Sequence, residues 1–312
     1  MKILVYIESH ENSPVPGSLE LLGAAGSLGE ASAVVIDNSD VGQAAAGYGI
    51  PVSVLKTDDI CPDTQVAALE AFIRAEAPDA VLFSATQLGK DLAPRLAQRF
   101  GAGCVTDVTA MEQTDSGLIY TRPAYGGTVY EQIRQMQDKV QFATVRSGCY
   151  AKPSAAAAAV TEVPAAAAQS SVKAKVLEAV KEISEVIDLE GADVIVSGGR
   201  GMGDEEGFKL VEELAALLGG VVGASRPAIE AGWISRAHQV GQSGKIVAPK
   251  LYIACGISGA MQHASGIMGS KYIVAINKDE SASIFDIADL GIVGDAKVIL
   301  PLLMEAIRQH KS

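Results

Sequence analysis

Short β-branched runs alternate with segments that carry apolar residues at helical spacing, and this alternation restricts the fold more than any other feature of the chain. Residues 2–8 (KILVYIE), 31–37 (ASAVVID), 51–56 (PVSVLK) and 80–85 (AVLFSA) read as strands. Residues 19–28, 65–76 and 91–100 have the period of helices. Parallel neighbours need a crossover over the sheet face, so strand, helix, strand in succession predicts a parallel, doubly wound sheet. Residues 117–146 continue as strands around a glycine turn at Gly126 and Gly127. A second α/β unit opens after Gly191. It reads ADVIVSGG (strand), GDEEGFKLVEELAALLG (helix), GGVVGAS (strand), KLYIACG (strand), SGAMQHASG (start of a helix), YIVAIN (strand), ADLGIVGD and a last helix at about 300–309. The expected fold class is α/β with two doubly wound domains.

Between them, residues 152–171 (KPSAAAAAVTEVPAAAAQSS) break the composition, and their Ala, Pro and Ser content predicts a flexible connection. Residues 172–191 are open between a helix, on the spacing of Val176, Val180, Ile183 and Ile187, and a strand, on the alternation of Val180, Glu182 and Ser184. The expected domains are 1–188 and 189–312, each long enough to bury a core.

Composition removes several function classes. The chain is 48% hydrophobic and 20% charged, which excludes disorder, and its net charge of −12 argues against nucleic acid or anionic lipid as a partner. No run approaches the ~18 apolar residues of a membrane span, so no membrane insertion is expected. The start, MKILVYIES, lacks the h-region and cleavage site of a signal peptide, and a cytoplasmic location is expected. Cys61, Cys104, Cys149 and Cys255 form no CxxC pair, and His10, His238, His263 and His310 have no ligand spacing. No metal is expected, and the thiols read as small core residues of a reducing compartment.

Four constellations carry chemistry. In VSGGRGMGDEEG, a strand runs through Gly198, Gly199, Arg200 and Gly201 into a helix. Bare amides with a guanidinium suit a diphosphate, although Gly199, Gly201 and Gly203 meet the dinucleotide fingerprint only in part and a plain tight turn is the alternative. In VVGASRPAIEAGW, Pro227 holds Ser225 and Arg226 at a strand end; pairing of Arg226 with Glu230 on the surface is the other reading. Residues 238–266 place Ser243 and Ser258 between glycines, with His263 five residues beyond Ser258. A hydrolase elbow would need glycine where Ala260 stands. Residues 274–295 end two further strands at Asn277 and Asp295. Together these loops outline one long polar cleft at the carboxyl edge of a parallel sheet, the shape for a dinucleotide.

SGGRG, GASRPA, QVGQSGKIVAPKLYIACGISGAMQH and IVAINKDESASIFDIADLGIVGD, in this order and spacing, resemble the α subunit of electron transfer flavoprotein. The match covers about 192–303; the N-terminal half agrees in rhythm and in FATVRSGCY, ending at Tyr150. The resemblance implies a nucleotide-hydrolase-like N-terminal sheet that forms the intersubunit surface, a C-terminal parallel-sheet domain that binds FAD and swivels, and a heterodimer with the β subunit. It implies that Arg200 and Gly201 belong to the glycine loop at the cofactor and that Ser225 is a small polar group beside it. It puts Arg226 beside the isoalloxazine, and gives Gln239, Gln242, Ser243 and Gly244 to the loop at the flavin and ribityl groups. Ser258, Gly259, Gln262 and His263 line the next loop, and Asn277, Lys278 and Asp295 the adenosine end. Arg226, Ser243 and His263 would tune the flavin; many members carry threonine where Ser243 stands.

Two functions follow from the resemblance. One is an electron shuttle serving acyl-CoA dehydrogenases. The other is a bifurcating complex, in which a second FAD in the β subunit takes electrons from NADH and divides them between ferredoxin and an acyl-CoA dehydrogenase. Only the second would make the assembly an NADH-oxidising enzyme.

Overall fold

The first strand, β1 (Lys2–Tyr6), is KILVY, and every residue after Lys2 is buried, as in a strand covered on both faces. The computed structural model describes residues 1–10, 12–57, 61–115, 117–135, 139–164 and 187–311. After β1 come the two-residue pair β2 (Ser9–His10) and β3 (Ser13–Pro14), α1 (Pro16–Leu28), β4 (Glu30–Ile36), α2 (Ser39–Ala46), β5 (Val52–Lys56), α3 (Pro62–Glu76), β6 (Ala80–Ser84) and α4 (Gln87–Arg99). The chain continues through β7 (Cys104–Val108), β8 (Ala110–Thr114), β9 (Gly117–Ala124), β10 (Val129–Arg134), β11 (Gln141–Val145) and β12 (Val160–Pro164).

Seven of these strands form one parallel sheet in the order β12-β5-β4-β1-β6-β11-β7, while β8, β9 and β10 form an antiparallel sheet. One face of the large sheet is packed by α1 and α2 through Leu21, Leu22, Val41 and Ala45; the other by α3 and α4 through Leu69, Phe72, Leu92 and Leu96. This is the doubly wound arrangement expected, with the glycine turn between β9 and β10 where the sequence puts it: Gly126 and Gly127 have φ of +72° and +94°.

The stretch 152–171 differs from a loose connection over its described part. Val160–Pro164 pairs in parallel with Val52–Lys56 as the edge strand β12, and Lys56 bonds Glu162. An edge position accepts Pro164, because one side of that strand has no ladder to complete. Residues 165–171, and the segment 172–191 up to residue 186, lie outside the described residues.

Apart from Tyr125–Gly127, the second compact unit is built, among the described residues, on those from 187 onward. Its elements are β13 (Val194–Gly198), α5 (Glu205–Leu218), β14 (Val221–Ala224), the short α6 (Arg226–Glu230), β15 (Leu251–Cys255), the single turn α7 (Met261–Ala264), β16 (Ile273–Asn277), β17 (Leu290–Val293) and α8 (Ala296–Lys311). All five strands are parallel, in the order β14-β13-β15-β16-β17. One face is covered by α5 and α8 through Phe208, Val211, Leu214, Leu300 and Met304. The other is covered by irregular chain, through Val240, Val247, Ile257, Ile267 and Ile284. The segment SGAMQHASG, read as the start of a helix, makes only the one turn α7 within that covering. No helix among the described residues is long and apolar enough to cross a membrane.

Candidate functional site

From β13 the chain steps outward to β14, then returns across β13 to β15. The connections therefore part between β13 and β15, and the crevice at that point is where open α/β sheets bind ligands. The loops leaving these two strands touch through bare backbone. Gly199 N–H donates to the Cys255 carbonyl and Gly201 N–H to that of Gly256, both at 2.9 Å. A Cβ at Gly201 would lie 2.7 Å from Gly256 Cα, and Gly256 itself has φ +63°. Glycine is required on both sides of this contact.

A cleft of about 910 Å³ opens above the contact, at the large end of the range for ligand pockets. Twelve of the fifteen residues singled out in the sequence line it: Arg200 and Gly201; Ser225 and Arg226; Gln242 and Ser243; Ser258, Gln262 and His263; Asn277, Lys278 and Asp295. The other three stand behind the wall. Gln239 is buried and its Nε2 donates to Ser243 Oγ at 2.9 Å. With that acceptor position used, Ser243 keeps its own O–H to offer elsewhere. Gly244 presses on the Gln239 carbonyl, where a Cβ would come within 2.3 Å, and Gly259, at φ +84°, lies against the Ile284 backbone.

Several of the lining side chains are already engaged. Arg226 begins α6 and its Nε donates to Glu230 at 2.7 Å, so the surface pair coexists with a place in the cleft. Asn277 joins loops: Nδ2 donates to the Ile257 carbonyl at 2.8 Å, and Oδ1 accepts from Asp279 N–H at 3.0 Å. Asp295 caps α8 by accepting from Lys297 N–H at 2.9 Å. The start of α5, expected to offer open amides, is capped from within, because Asp204 accepts from Gly207 N–H at 2.7 Å and also holds Lys297 at 3.0 Å. Those two contacts keep the Asp204 carboxyl below its ordinary range, the Gly207 bond being the larger cause.

His263 is 7% exposed, and burial pushes its imidazole down to about 4 against the weaker opposite effect of the Val240 backbone. The ring is therefore neutral at pH 7 and is not a cation for the cleft. Its Nε2 lies 2.9 Å from the hydroxyl of the fully buried Tyr252, and its Nδ1 has no hydrogen-bond partner among the described residues. Cys255, on the opposite face of β15, has its thiol pushed up to about 12 by burial and is a core residue. No group of three or more His, Cys, Asp or Glu among the described residues could hold a metal ion.

The wall also contains residues that sequence reasoning passed over: Gly241, Gly256 and Ile257, and Asp279 with Ser281, Ala282 and Ser283. Gly241 has φ +132°, and Gln242 N–H beside it donates to the Gln262 carbonyl at 2.7 Å, so two flexible-looking loops are tied together there. The alternation of Gly with Ser and Gln was the available signal. For 279–283 it was the Asp-x-Ser turn, in which Ser281 Oγ and N–H both donate to Asp279.

Two family models match the chain. One, described as the electron transfer flavoprotein domain, covers residues 3–171, and the other, described as the electron transfer flavoprotein FAD-binding domain, covers 188–268. An electron transfer flavoprotein subunit alpha from Thermoanaerobacterium thermosaccharolyticum is 46% identical over 78% of this chain and 75% of that protein. One from Megasphaera elsdenii is 46% identical over 77% and 73%. Protein FixB of Clostridium saccharobutylicum is 40% identical over 98% of this chain and 96% of its own length.

Proposed function

The chain belongs to the electron transfer flavoprotein α-subunit family, its cofactor is FAD, and from that premise we propose that it is the FAD-carrying subunit of an αβ heterodimer that moves electrons between acyl-CoA dehydrogenase-type partners and other redox carriers. The observation that carries the reading is the convergence of twelve separately identified residues, from five strand ends, on one cleft at the switch point of the second sheet.

The residues fit the cofactor. Arg200, Arg226 and Lys278 supply positive charge to a chain whose net charge is negative, which an anionic dinucleotide requires. The glycine contact at Gly201 and Gly256 lets backbone approach a diphosphate as no side chain would allow. Ser243 O–H and the unpartnered Nδ1 of His263 are donors suited to the polar edge of an isoalloxazine. FAD supplies the redox chemistry when bound. This chain's own contribution is to orient the ring, exclude water and set the potential through fixed donors and the Arg226 guanidinium.

The test is to co-express the chain with an electron transfer flavoprotein β subunit, count its nucleotides, and mix the complex with an acyl-CoA dehydrogenase and acyl-CoA. One FAD, with or without an AMP, and bleaching of the flavin on mixing is the expected result. Two FAD per heterodimer with NADH-driven ferredoxin reduction would turn the reading to the bifurcating complex. A lone α chain that is monodisperse and fully flavinylated would overturn the partnership.

A further inference from the structure

On β15, Tyr252 points to the face covered by irregular chain, where it packs in one cluster with Ile195, Ala254 and Ile257. A wholly buried phenol must give its proton to something. Burial holds the group protonated far above its ordinary range, and within hydrogen-bond geometry the partner of its oxygen among the described residues is His263 alone. The acceptor for the phenol's own proton is His263 Nε2, at 2.9 Å. A neutral imidazole has one N–H, and a nitrogen that accepts cannot also carry it. The ring proton thus belongs on Nδ1, the nitrogen left without a partner in a side chain that lines the cleft. An unspent buried donor costs about 1–3 kcal/mol, a cost removed when a ligand acceptor reaches it.

We propose that Tyr252 is a positioning residue for the flavin: by donating to His263 Nε2 it locks the ring as the Nδ1–H form, and so makes His263 a fixed neutral N–H donor toward the reduced cofactor. This rests on FAD occupying the cleft. The phenol touches neither cofactor nor solvent, and it acts only through the tautomer it selects. Nothing else among the described residues bonds Nε2, so without the hydroxyl only the weaker pull of the Val240 backbone is left to distinguish the two neutral forms.

The test combines nitrogen NMR of the αβ holo complex, labelled at histidine, with potentiometry. The His263 signal, assigned by its loss in His263→Gln, should show a protonated Nδ1 and an unprotonated Nε2. In Tyr252→Phe that pattern should collapse toward a mixture, and the reduced-to-oxidised flavin ratio at fixed potential should fall about three- to tenfold, the worth of one ordinary hydrogen bond, with FAD content retained. A wild-type ring protonated on Nε2 overturns the proposal, as does a Tyr252→Phe complex with unchanged tautomer and unchanged ratio. If Tyr252→Phe does not fold, the wild-type spectrum decides alone. Should FAD lie elsewhere, the Nδ1–H pattern would be seen but Tyr252→Phe would leave the flavin ratio untouched and Gly201→Val would retain FAD, an outcome that overturns the site and the tuning together and leaves the tautomer standing.

Discussion

Each parallel sheet of this molecule has a point where its crossovers part, between β1 and β6 in the first unit and between β13 and β15 in the second, and the two are furnished in opposite ways. At the first, the fold's own side chains bond one another around the strand ends. Ser18 and Ser84, both buried, lie 3.2 Å apart at Oγ, Ser18 Oγ accepts from Glu8 N–H, and Thr86 donates to the Glu8 carboxylate. Gly148 N–H is taken by Glu20, and Arg146 forks onto Asp107. At the second, the loops leaving the two strands touch through glycine backbone, and irregular chain replaces helices on one face. Topology makes a crevice in both; residue size and unspent donors decide which one takes a ligand.

The largest expected effect breaks this contrast at its smallest residues. Gly201→Val drives a branched side chain into the Gly256 backbone, 2.7 Å from where its Cβ would sit, and backbone cannot step aside. Overpacking of about 1–3 kcal/mol predicts roughly 10- to 100-fold weaker FAD binding. Gly17→Ala in the first unit meets side chains and not backbone, the Ser147 hydroxyl first and then Ser84 Oγ at 3.2 Å and Ser147 Cβ at 3.3 Å, and it lies outside the cleft, so flavin content should stay at the wild-type level. Absorbance after desalting reads both; a fully yellow Gly201→Val protein would sink the assignment.

Removing FAD should separate the units next. A ligand held at about 100–1,000 times its dissociation constant stabilises what it binds by roughly 3–4 kcal/mol. Amides of β13, β15 and β16 should exchange hydrogen about 100- to 1,000-fold faster in the stripped protein, while those of β1 and β6 keep their rates. Equal acceleration in both sheets would mean that the first crevice also depends on the ligand.

Acid should weaken the second unit through His263. Its folded value is about 4 against 6.5 for a free side chain. The unfolded chain therefore binds the extra proton first, and stability is full above about pH 6.5 and lost as pH falls toward 4. The expected loss is about 2–4 kcal/mol. Urea melts of the second unit at pH 7 and 4.5 should differ by this amount, and His263→Gln should flatten the difference; a slope unchanged in the variant would assign the effect to other groups.

The sequence carried much of this contrast, and physics explains what it withheld. Strands such as β1, β6 and β15 are buried on both faces and read as apolar runs, and the four loop constellations announced the cleft by their Gly, Ser and Arg at strand ends. Helix α2, SDVGQAAA, escaped notice because it has few large apolar residues to set a period. β7 and β8 were also passed over; their patterns are too mixed to stand out. In β12, VTEVP is a strand only because β5 lies beside it. Gln239 read as a cofactor ligand, and nothing in the sequence showed that its Nε2 also donates to Ser243; Tyr252 read as plain core. Both roles depend on contacts made by folding, four and eleven residues along the chain.

Arg226 gives the smallest effect and the sharpest use of the comparison, since the first unit buries its arginine with Asp107 whereas the second leaves its own in the open. The Arg146 side chain is 12% exposed, but that of Arg226 is 66% exposed and paired with a Glu230 exposed to a similar degree. A guanidinium shared with a solvated carboxylate acts on a neighbouring charge through screened contacts, worth about 0.5–1 kcal/mol. At 59 mV per tenfold change for one electron, Arg226→Ala should lower the flavin potential by roughly 20–40 mV. The sign is negative because a cation favours the anionic reduced ring over the neutral oxidised one. Glu230→Gln should move the potential the other way by less, since it frees the same cation. Spectroelectrochemical titration of the two variants reads both shifts. A fall beyond about 100 mV would mean that the Glu230 pair opens when FAD binds and that Arg226 contacts the ring as a desolvated, charge-assisted donor. An unchanged potential, or complete loss of FAD, would take Arg226 away from the ring and leave it to structure or to the phosphates.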